Sequence, residues 1–386
     1  MKYCLQSHIY CGKIRSSVNV INLTITKWGN PKKRLFLNRR KNKMKKRIAL
    51  LLAGVLAVTS LVACGGNAGG NDAAKVKVGL GACTSFSESY SIGEDHYGQP
   101  ATATNAQVDI HVAAVTLADG KIASIQIDAI QVKNSVDATG ALAADAKTEF
   151  TSKHDLKDGY AMKPASPIGM EWFTQVDNFE NWATGKTLDE VKAGIGADGY
   201  PSDATLKSGC TIQMNDIIAA VADACEKAVD TDATTADTLG LALIGEMTNV
   251  KAPADNDGKG TFQAYVNFAC TTQNANGEIT AVLIDSIQAS PSWDATGKLT
   301  TDLDQDVRTK YTKKDDYGMQ PASSLENGEW FEQIDVFKQS ILGKKAADVT
   351  AIAVDEKGYP TDDTLRTGCT MKVSAYKTVV VKSLEK

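Results

Sequence analysis

The sequence predicts an α+β chain: two tandem copies of one domain, each a twisted antiparallel sheet with helices against one side. Three observations carry this expectation. A long internal repeat recurs at an offset of 157–159 residues, too long for a solenoid unit and the right length for a whole domain. Within each repeat, two β-rich runs flank a hairpin turn. Amphipathic helical runs with recognisable start and stop residues follow each pair.

The repeat is read from four blocks. Asp137-Ala138-Thr139-Gly140 recurs as Asp294-Ala295-Thr296-Gly297, and the block from Asp158 through Tyr160, Met162, Pro164 and Ser166 recurs from Asp315 through Tyr317, Met319, Pro321 and Ser323. Glu171-Trp172-Phe173 recurs as Glu329-Trp330-Phe331. Gly199-Tyr200-Pro201 to Ser208-Gly209-Cys210-Thr211 recurs as Gly358-Tyr359-Pro360 to Thr367-Gly368-Cys369-Thr370. These place the first domain at 75–229, a polar acidic linker at 230–237 and the second domain at 238–386.

The elements follow in order. Residues 108–117 and 122–131 are β-rich runs joined by the hairpin turn Asp119-Gly120, and 264–272 pairs with 279–288 across Asn276-Gly277. A helix over 171–184 stops at Gly185, and Thr187-Leu188-Asp189-Glu190 has the form of a capping box opening the next helix. Asn215 is expected to cap a helix carrying Ile217, Ile218, Val221, Cys225 and Val229 on one face, with Ser374 in the same place in the second copy.

The start of the chain reads as a secretion signal. Lys45-Lys46-Arg47 precedes an apolar run from Ile48 to Ala63, shorter than the roughly 20 residues that span a bilayer. The run ends in Leu61-Val62-Ala63-Cys64, which resembles a bacterial lipobox, with Cys64 as the lipidated residue. The expected organisation is an over-extended start at 1–43, a signal peptide at 44–63, and a Gly/Asn/Ala-rich flexible tether at 64–74. Of the 42 Lys and Arg, 14 lie before Cys64, where there is no Asp or Glu. The mature chain then carries 28 basic residues against 46 acidic, a net charge of −18 that repels phosphate backbones and excludes nucleic acid as a partner.

Local chemistry is sparse. Cys83, Cys210, Cys225, Cys270 and Cys369 follow Cys64 with no CxxC spacing, and His96, His111 and His154 form no HxH or HxxxH pair, so no metal site is expected. Thr184-Gly185-Lys186-Thr187 resembles the end of a P-loop, but Glu180 stands where the first glycine is needed. No GxGxxG follows a strand and no GxSxG elbow occurs, so no catalytic residue is assigned.

What remains is the pair of turns Ser208-Gly209-Cys210-Thr211 and Thr367-Gly368-Cys369-Thr370. These resemble the S-G-A-T or S-G-A-S hallmark of the FMN-binding domain family, which includes flavin-carrying subunits of bacterial NADH:quinone and Rnf-type complexes. The hairpin, the Tyr-x-Met-x-Pro-Ala-Ser and Glu-Trp-Phe blocks, the Gly-Lys after the helix and the final turn stand in the family's order over nearly all of both copies. The resemblance is nearest to tandem-domain surface lipoproteins of Gram-positive bacteria that hold two flavins and serve extracellular electron transfer. It implies FMN esterified to Thr211 and Thr370 by a flavin transferase, with Ser208, Gly209, Cys210, Thr367, Gly368 and Cys369 shaping the turns. Met162, Trp172, Met319 and Trp330 would flank the ring, or else fill the core. Two positions depart from the pattern: Cys210 and Cys369 stand for the family's Ala, and Thr205 and Thr364 stand where its Asp lies, with Asp203 and Asp362 two residues earlier.

The function so implied is that of a lipid-anchored protein on the extracytoplasmic face of the cell membrane. It would pass electrons from a membrane NADH/quinone oxidoreductase to external acceptors, as a carrier more than a turnover enzyme. The alternatives are a ligand-binding or interaction lipoprotein with a vestigial flavin fold, and a flavin reductase of a small substrate.

Overall fold

The computed structural model describes residues 73–88, 91–96, 99–142 and 149–386. The signal run, the lipobox with Cys64 and nearly all of the tether lie outside these residues.

In the first copy the sequence Lys75–Glu88 forms β1, the short pair Asp95–His96 (β2) and Gln99–Pro100 (β3) follows, and Ala103–Ala118 (β4) and Lys121–Asp137 (β5) make a long hairpin. Asp119 and Gly120 both take positive φ, 51° and 74°, the two left-handed residues that a tight hairpin turn needs. Glu149–Phe150 (β6) precedes the helices Lys153–Leu156 (α1), Trp172–Ala183 (α2), Leu188–Ala193 (α3), Ala204–Lys207 (α4) and Asn215–Glu226 (α5). Residues 229–234, most of them within the segment read as a linker, form β7, Val229–Thr234.

The second copy repeats the order of the three long strands and five helices, with no counterpart of β2, β3 or β6 among the described residues. Its strands are Thr238–Lys251 (β8), Lys259–Gln273 (β9), Ile279–Ala289 (β10) and Ser292–Asp294 (β11), and its helices Lys310–Lys313 (α6), Trp330–Ile341 (α7), Ala346–Ala351 (α8), Asp363–Arg366 (α9) and Ser374–Leu384 (α10). Two of the expected helix details hold and two change. The Thr187–Glu190 capping box is formed, and the helix from the Glu-Trp-Phe block stops just before Gly185. Asn215 and Ser374, expected as caps, are instead the first helical residues after Met214 and Val373, and Val229 has left the helix for β7.

Both main sheets are antiparallel, in the orders β5-β4-β1-β7 and β10-β9-β8-β6. The first copy lends a short strand to the second, because β6 of the first pairs with β8 of the second. Apolar residues occupy both faces of the central strands, so both faces are covered. On β4, Ala106, Val108, Ile110, Val112 and Ala114 join a core shared with Leu241, Leu243, Phe262, Phe268 and Trp293 of the second copy. Ala113 and Val115 point the other way, to Val176, Phe179, Ile217 and Val221 on the helices. The second copy mirrors this with Ala269, Ile284, Ile334, Phe337 and Val380. The result is four layers, helices–sheet–sheet–helices, with the largest core between the two copies.

The contacts between copies are reciprocal, as in a two-fold interface. Lys227 beyond α5 reaches Thr312 at 2.9 Å, and Lys386 at the equivalent place beyond α10 meets Asp155, the equivalent of Thr312. The Asp-Ala-Thr-Gly turns also face one another: a Cβ at Gly297 would lie 2.2 Å from the Asp137 carbonyl oxygen, and Trp293 donates to the Gly140 carbonyl at 2.9 Å.

The repeated Gly-Lys dipeptides have a structural task. Gly185 donates to the Ile122 carbonyl and Ile122 donates back to Lys186; Gly343, Ile279 and Lys344 repeat the exchange. Each pair ties the end of α2 or α7 to the outer strand β5 or β10.

Candidate functional site

Each candidate turn begins at a one-turn helix. Asp203 caps α4 by accepting from the amides of Thr205 and Leu206, both at 2.9 Å, and Asp362 caps α9 by accepting from Leu365 at 2.8 Å. Asp203 also accepts from the Trp182 indole at 3.1 Å. These hydrogen bonds hold the Asp203 carboxyl below the usual carboxylate range. Ser208 and Thr367 close the same helices at the other end, each hydroxyl donating to the carbonyl of Thr205 or Thr364 at 2.7 Å. After Gly209 or Gly368, Cys210 and Cys369 turn fully into the core. Burial pushes both thiols up to about 11, so neither is a thiolate nucleophile near neutrality.

Thr211 and Thr370 come next, half-buried, each held by a buried glutamine of the neighbouring long helix. The Gln175 Oε1 accepts from the Thr211 amide at 2.8 Å and from its hydroxyl at 3.2 Å. Gln333 accepts from the Thr370 amide at 2.8 Å, its hydroxyl at 3.3 Å and the Met371 amide at 3.1 Å. A backbone N–H can only donate, so the amide oxygen must face the turn and the amide nitrogen must face away. The nitrogen of Gln175 donates to the Ser166 hydroxyl and the Met170 carbonyl; that of Gln333 donates to the Ser323 hydroxyl and the Gly328 carbonyl. One buried amide thus joins the Pro-Ala-Ser block to the Ser/Thr-Gly-Cys-Thr turn, and Asn178 adds a bond to the Gly209 carbonyl at 2.9 Å.

The Glu-Trp-Phe block anchors the same loop. Buried Glu171 accepts from the amides of Met162 and Lys163 at 2.8 and 3.0 Å, and Glu329 accepts from Met319 and Gln320 at 2.9 and 2.8 Å. Met162 and Met319 are half-buried beside the helical cores. Trp172 and Trp330 are 3% and 2% exposed, and the ammonium groups of Lys153 and Lys310 lie 5.3 and 5.6 Å from their ring centres. In this conformation both indoles are core residues, the second of the two placements the sequence allows.

The structure therefore brings Ser208, Gly209, Cys210 and Thr211 together with Gln175, Asn178, Ser166 and Met170, and the second copy repeats most of this set. Sequence reasoning missed Gln175 and Gln333. Their signal was present: both lie four residues after the repeated Glu.

Two surface cavities, of about 620 and 580 Å³, open elsewhere: one by the start of β1, the Asp119-Gly120 tip and β7, the other along α10. Cys210, Cys225, Cys270 and Cys369 are free thiols among the described residues. No helix among the described residues is long and apolar enough to cross a membrane. No family model, curated protein or solved structure matches the chain.

Proposed function

We infer that the protein is a lipid-anchored, extracytoplasmic electron-transfer flavoprotein, with FMN held as a phosphoester on Thr211 and Thr370. The observation that carries this reading is the state of the two threonine hydroxyls. Each donates one long bond to a glutamine oxygen that keeps a shorter bond from the same residue's amide. Esterification removes the hydroxyl proton and leaves no buried acceptor unpaired. The hydroxyls of Ser208 and Thr367 are instead committed to helix ends at 2.7 Å. Half-exposure, a neighbouring glycine and a small buried side chain leave room for a phosphoester at the threonines.

The chain's own residues then do three things. Thr211 and Thr370 supply the oxygen, Gln175 and Gln333 fix its position, and Glu171 and Glu329 hold the adjoining loops. Bound there, the flavin supplies two-electron uptake with one-electron release. The donor of this reading is a membrane NADH/quinone oxidoreductase, and the tether beyond Cys64 keeps the sites near the membrane.

A second reading, a binding lipoprotein with a vestigial flavin fold, draws on one observation. Thr205 and Thr364 occupy the place of the family's Asp, and the nearest acids, Asp203 and Asp362, are engaged as helix caps.

Intact mass separates the two. Co-produced with a flavin transferase, the protein should gain two FMN less two waters. Thr211→Ala and Thr370→Ala should each lose one increment, and the double variant both. Wild type without added mass, unrescued by Thr205→Asp and Thr364→Asp, would leave the binding reading. Cys64→Ala should abolish palmitate labelling; unchanged labelling would remove the lipid anchor.

A further inference from the structure

The two threonine sites stand at opposite corners of the four-layer stack. Gly209 and Thr211 are tied to α2 through Asn178 and Gln175, and α2 is tied to the outer strand β5 through Gly185 and Ile122. Thr370 is tied to α7 through Gln333, and α7 to the outer strand β10 through Gly343 and Ile279. β5 lies over β8 while β10 lies over β7, so β5 and β10 are on opposite sides of the stack as well as in different sheets. The core of Ile110, Ile130, Phe262, Phe268 and Trp293 fills the space between the sheets.

Layer spacings give the separation. Packed sheets lie about 10 Å apart, a helix layer adds about 10 Å on each side, and crossing the sheet adds roughly three strand spacings of 4.8 Å. The sites are then on the order of 30 Å apart. Electron tunnelling decays exponentially with distance, so transfer over such a span, through two sheets and the packed core between them, is far slower than exchange with a partner at the surface. Each turn, by contrast, is half-exposed on its own side of the molecule.

We propose that the two sites work in parallel: each exchanges electrons with partners outside the molecule, and neither feeds the other across the core. Each site would take two electrons and two protons from a quinol-class donor, which leaves as the quinone, and would return the electrons to an oxidised external acceptor and the protons to water. Transfer from site to site occurs between molecules. The proposal rests on the flavoprotein reading for its redox content, while the geometry behind it can be tested without any flavin.

The test uses the full chain in two arms. Spin labels are placed at positions 211 and 370 through genetically encoded ketone side chains, which leave the native thiols unlabelled, and their separation is measured by dipolar spectroscopy. A distance of about 25 Å or more is expected from the layer geometry, and a shorter one overturns the proposal. In the second arm, flavin-loaded Thr211→Ala and Thr370→Ala proteins are reduced by a quinol analogue and reoxidised by ferricyanide. Each remaining site should keep its wild-type rates within twofold. A tenfold loss at one site on removing the other would mean a series path and overturn the proposal. If the protein takes up no flavin, the flavoprotein reading fails, while the distance still decides whether the corners are too far apart for direct exchange.

Discussion

Strand register makes the two copies comparable residue by residue, and it shows where they part. Asp109 and His111 on β4 are equivalent to Tyr265 and Asn267 on β9, because they pair with Gln131 and Ala129 as the latter pair with Gln288 and Ser286. Lys153 is equivalent to Lys310, each lying over the ring of a Tyr and a Trp. In the first copy, burial works against the Asp109 carboxylate, but hydrogen bonds from Ser87, Gln107 and Gln131 and the Lys153 charge hold its pKa below the usual range. Burial and the Lys153 charge push His111 down to about 4, so it is neutral, with Asp216 3.7 Å from its Nδ1. In the second copy Lys310 faces hydroxyls: it donates to Tyr265 at 2.9 Å, and Tyr265 adjoins Tyr376, which accepts from Trp330. Burial pushes Lys310 down to about 7. The two threonine turns are built alike, while the polar layer beneath the helices sets Lys153 towards the Asp109 carboxylate in one copy and Lys310 against tyrosine hydroxyls, with the Asp285 charge giving partial relief, in the other. The geometry of a turn needs a fixed backbone and one amide; the layer only needs its polar atoms satisfied, and several residue sets do that.

The largest effect should come from exchanging Gly81 and Ala242, which register also makes equivalent. A Cβ at Gly81 would lie 2.1 Å from the Ala224 nitrogen and 2.4 Å from the Ala220 carbonyl oxygen of α5. Backbone cannot yield cheaply, so Gly81→Ala should cost about 3 kcal/mol or more. Ala242→Gly should cost only about 1 kcal/mol, through chain entropy and a lost methyl. Urea unfolding of both variants measures this; similar losses would mean the helices sit alike on the two sheets.

The lysines should respond with opposite signs. Unfolded, Lys310 titrates near the ordinary 10.5; folded, near 7. Between these values the unfolded state binds more protons, so stability rises with pH across that window and the full cost applies below it. Lys310→Met should therefore stabilise by about 2–4 kcal/mol below pH 7, with the gain fading as pH rises towards 10.5. Lys153→Met should destabilise by about 1–3 kcal/mol, because Asp109 stays buried without its cation. Two changes of the same sign would show that the layers are not electrostatically distinct.

Glu180 gives the next contrast. It accepts from the Ile127 amide on β5 at 2.6 Å, covering a strand edge, and Lys338 takes its place in the second copy, paired with Asp335 at 2.5 Å. Burial, with Asp177 on α2 and Asp128 on β5 nearby, pushes Glu180 up to about 8 against the partial relief of the Ile127 bond and His154. The folded state then holds a proton that the unfolded state has released between pH 4.5 and 8, so stability falls across that window. Glu180→Gln keeps the acceptor and removes the titration. It should gain about 1–3 kcal/mol at pH 8 and nothing at pH 4, read from thermal melts.

These contrasts also explain what the sequence disclosed. The repeat, both hairpins, the capping box and the turns were legible because each depends on local residues: Asp119-Gly120 specifies its turn wherever it lies. β1 and β8 were not, since Gly79, Gly81 and Gly240 carry no local strand signal; they admit α5 and α10 against the strands, a contact about 140 residues away in sequence. Gln175 read as one more polar residue of an amphipathic helix, and only the fold buries it. The shared core left a trace that went unread: β4 is apolar on both faces, and helices on one side cannot cover both.

The smallest effect concerns the hydroxyl at the other end of each turn, and it tests the acceptor directly. Ser208 and Thr367 each satisfy a helix-end carbonyl at 2.7 Å while exposed to solvent, where water replaces a lost partner readily. Ser208→Ala and Thr367→Val should each cost about 0.5–1 kcal/mol, and by the same amount, since this part of the two copies is alike. Neither should change the flavin mass taken up, because the oxygen proposed to carry the ester lies three residues later. Loss of one FMN increment in Ser208→Ala, with retention in Thr211→Ala, would move the attachment to the first residue of the turn. Loss in both would show that the transferase needs the helix end intact as well as the threonine. Cys210→Ala separates these outcomes from a sulfur linkage: its buried thiol, pushed up to about 11, should be dispensable for attachment.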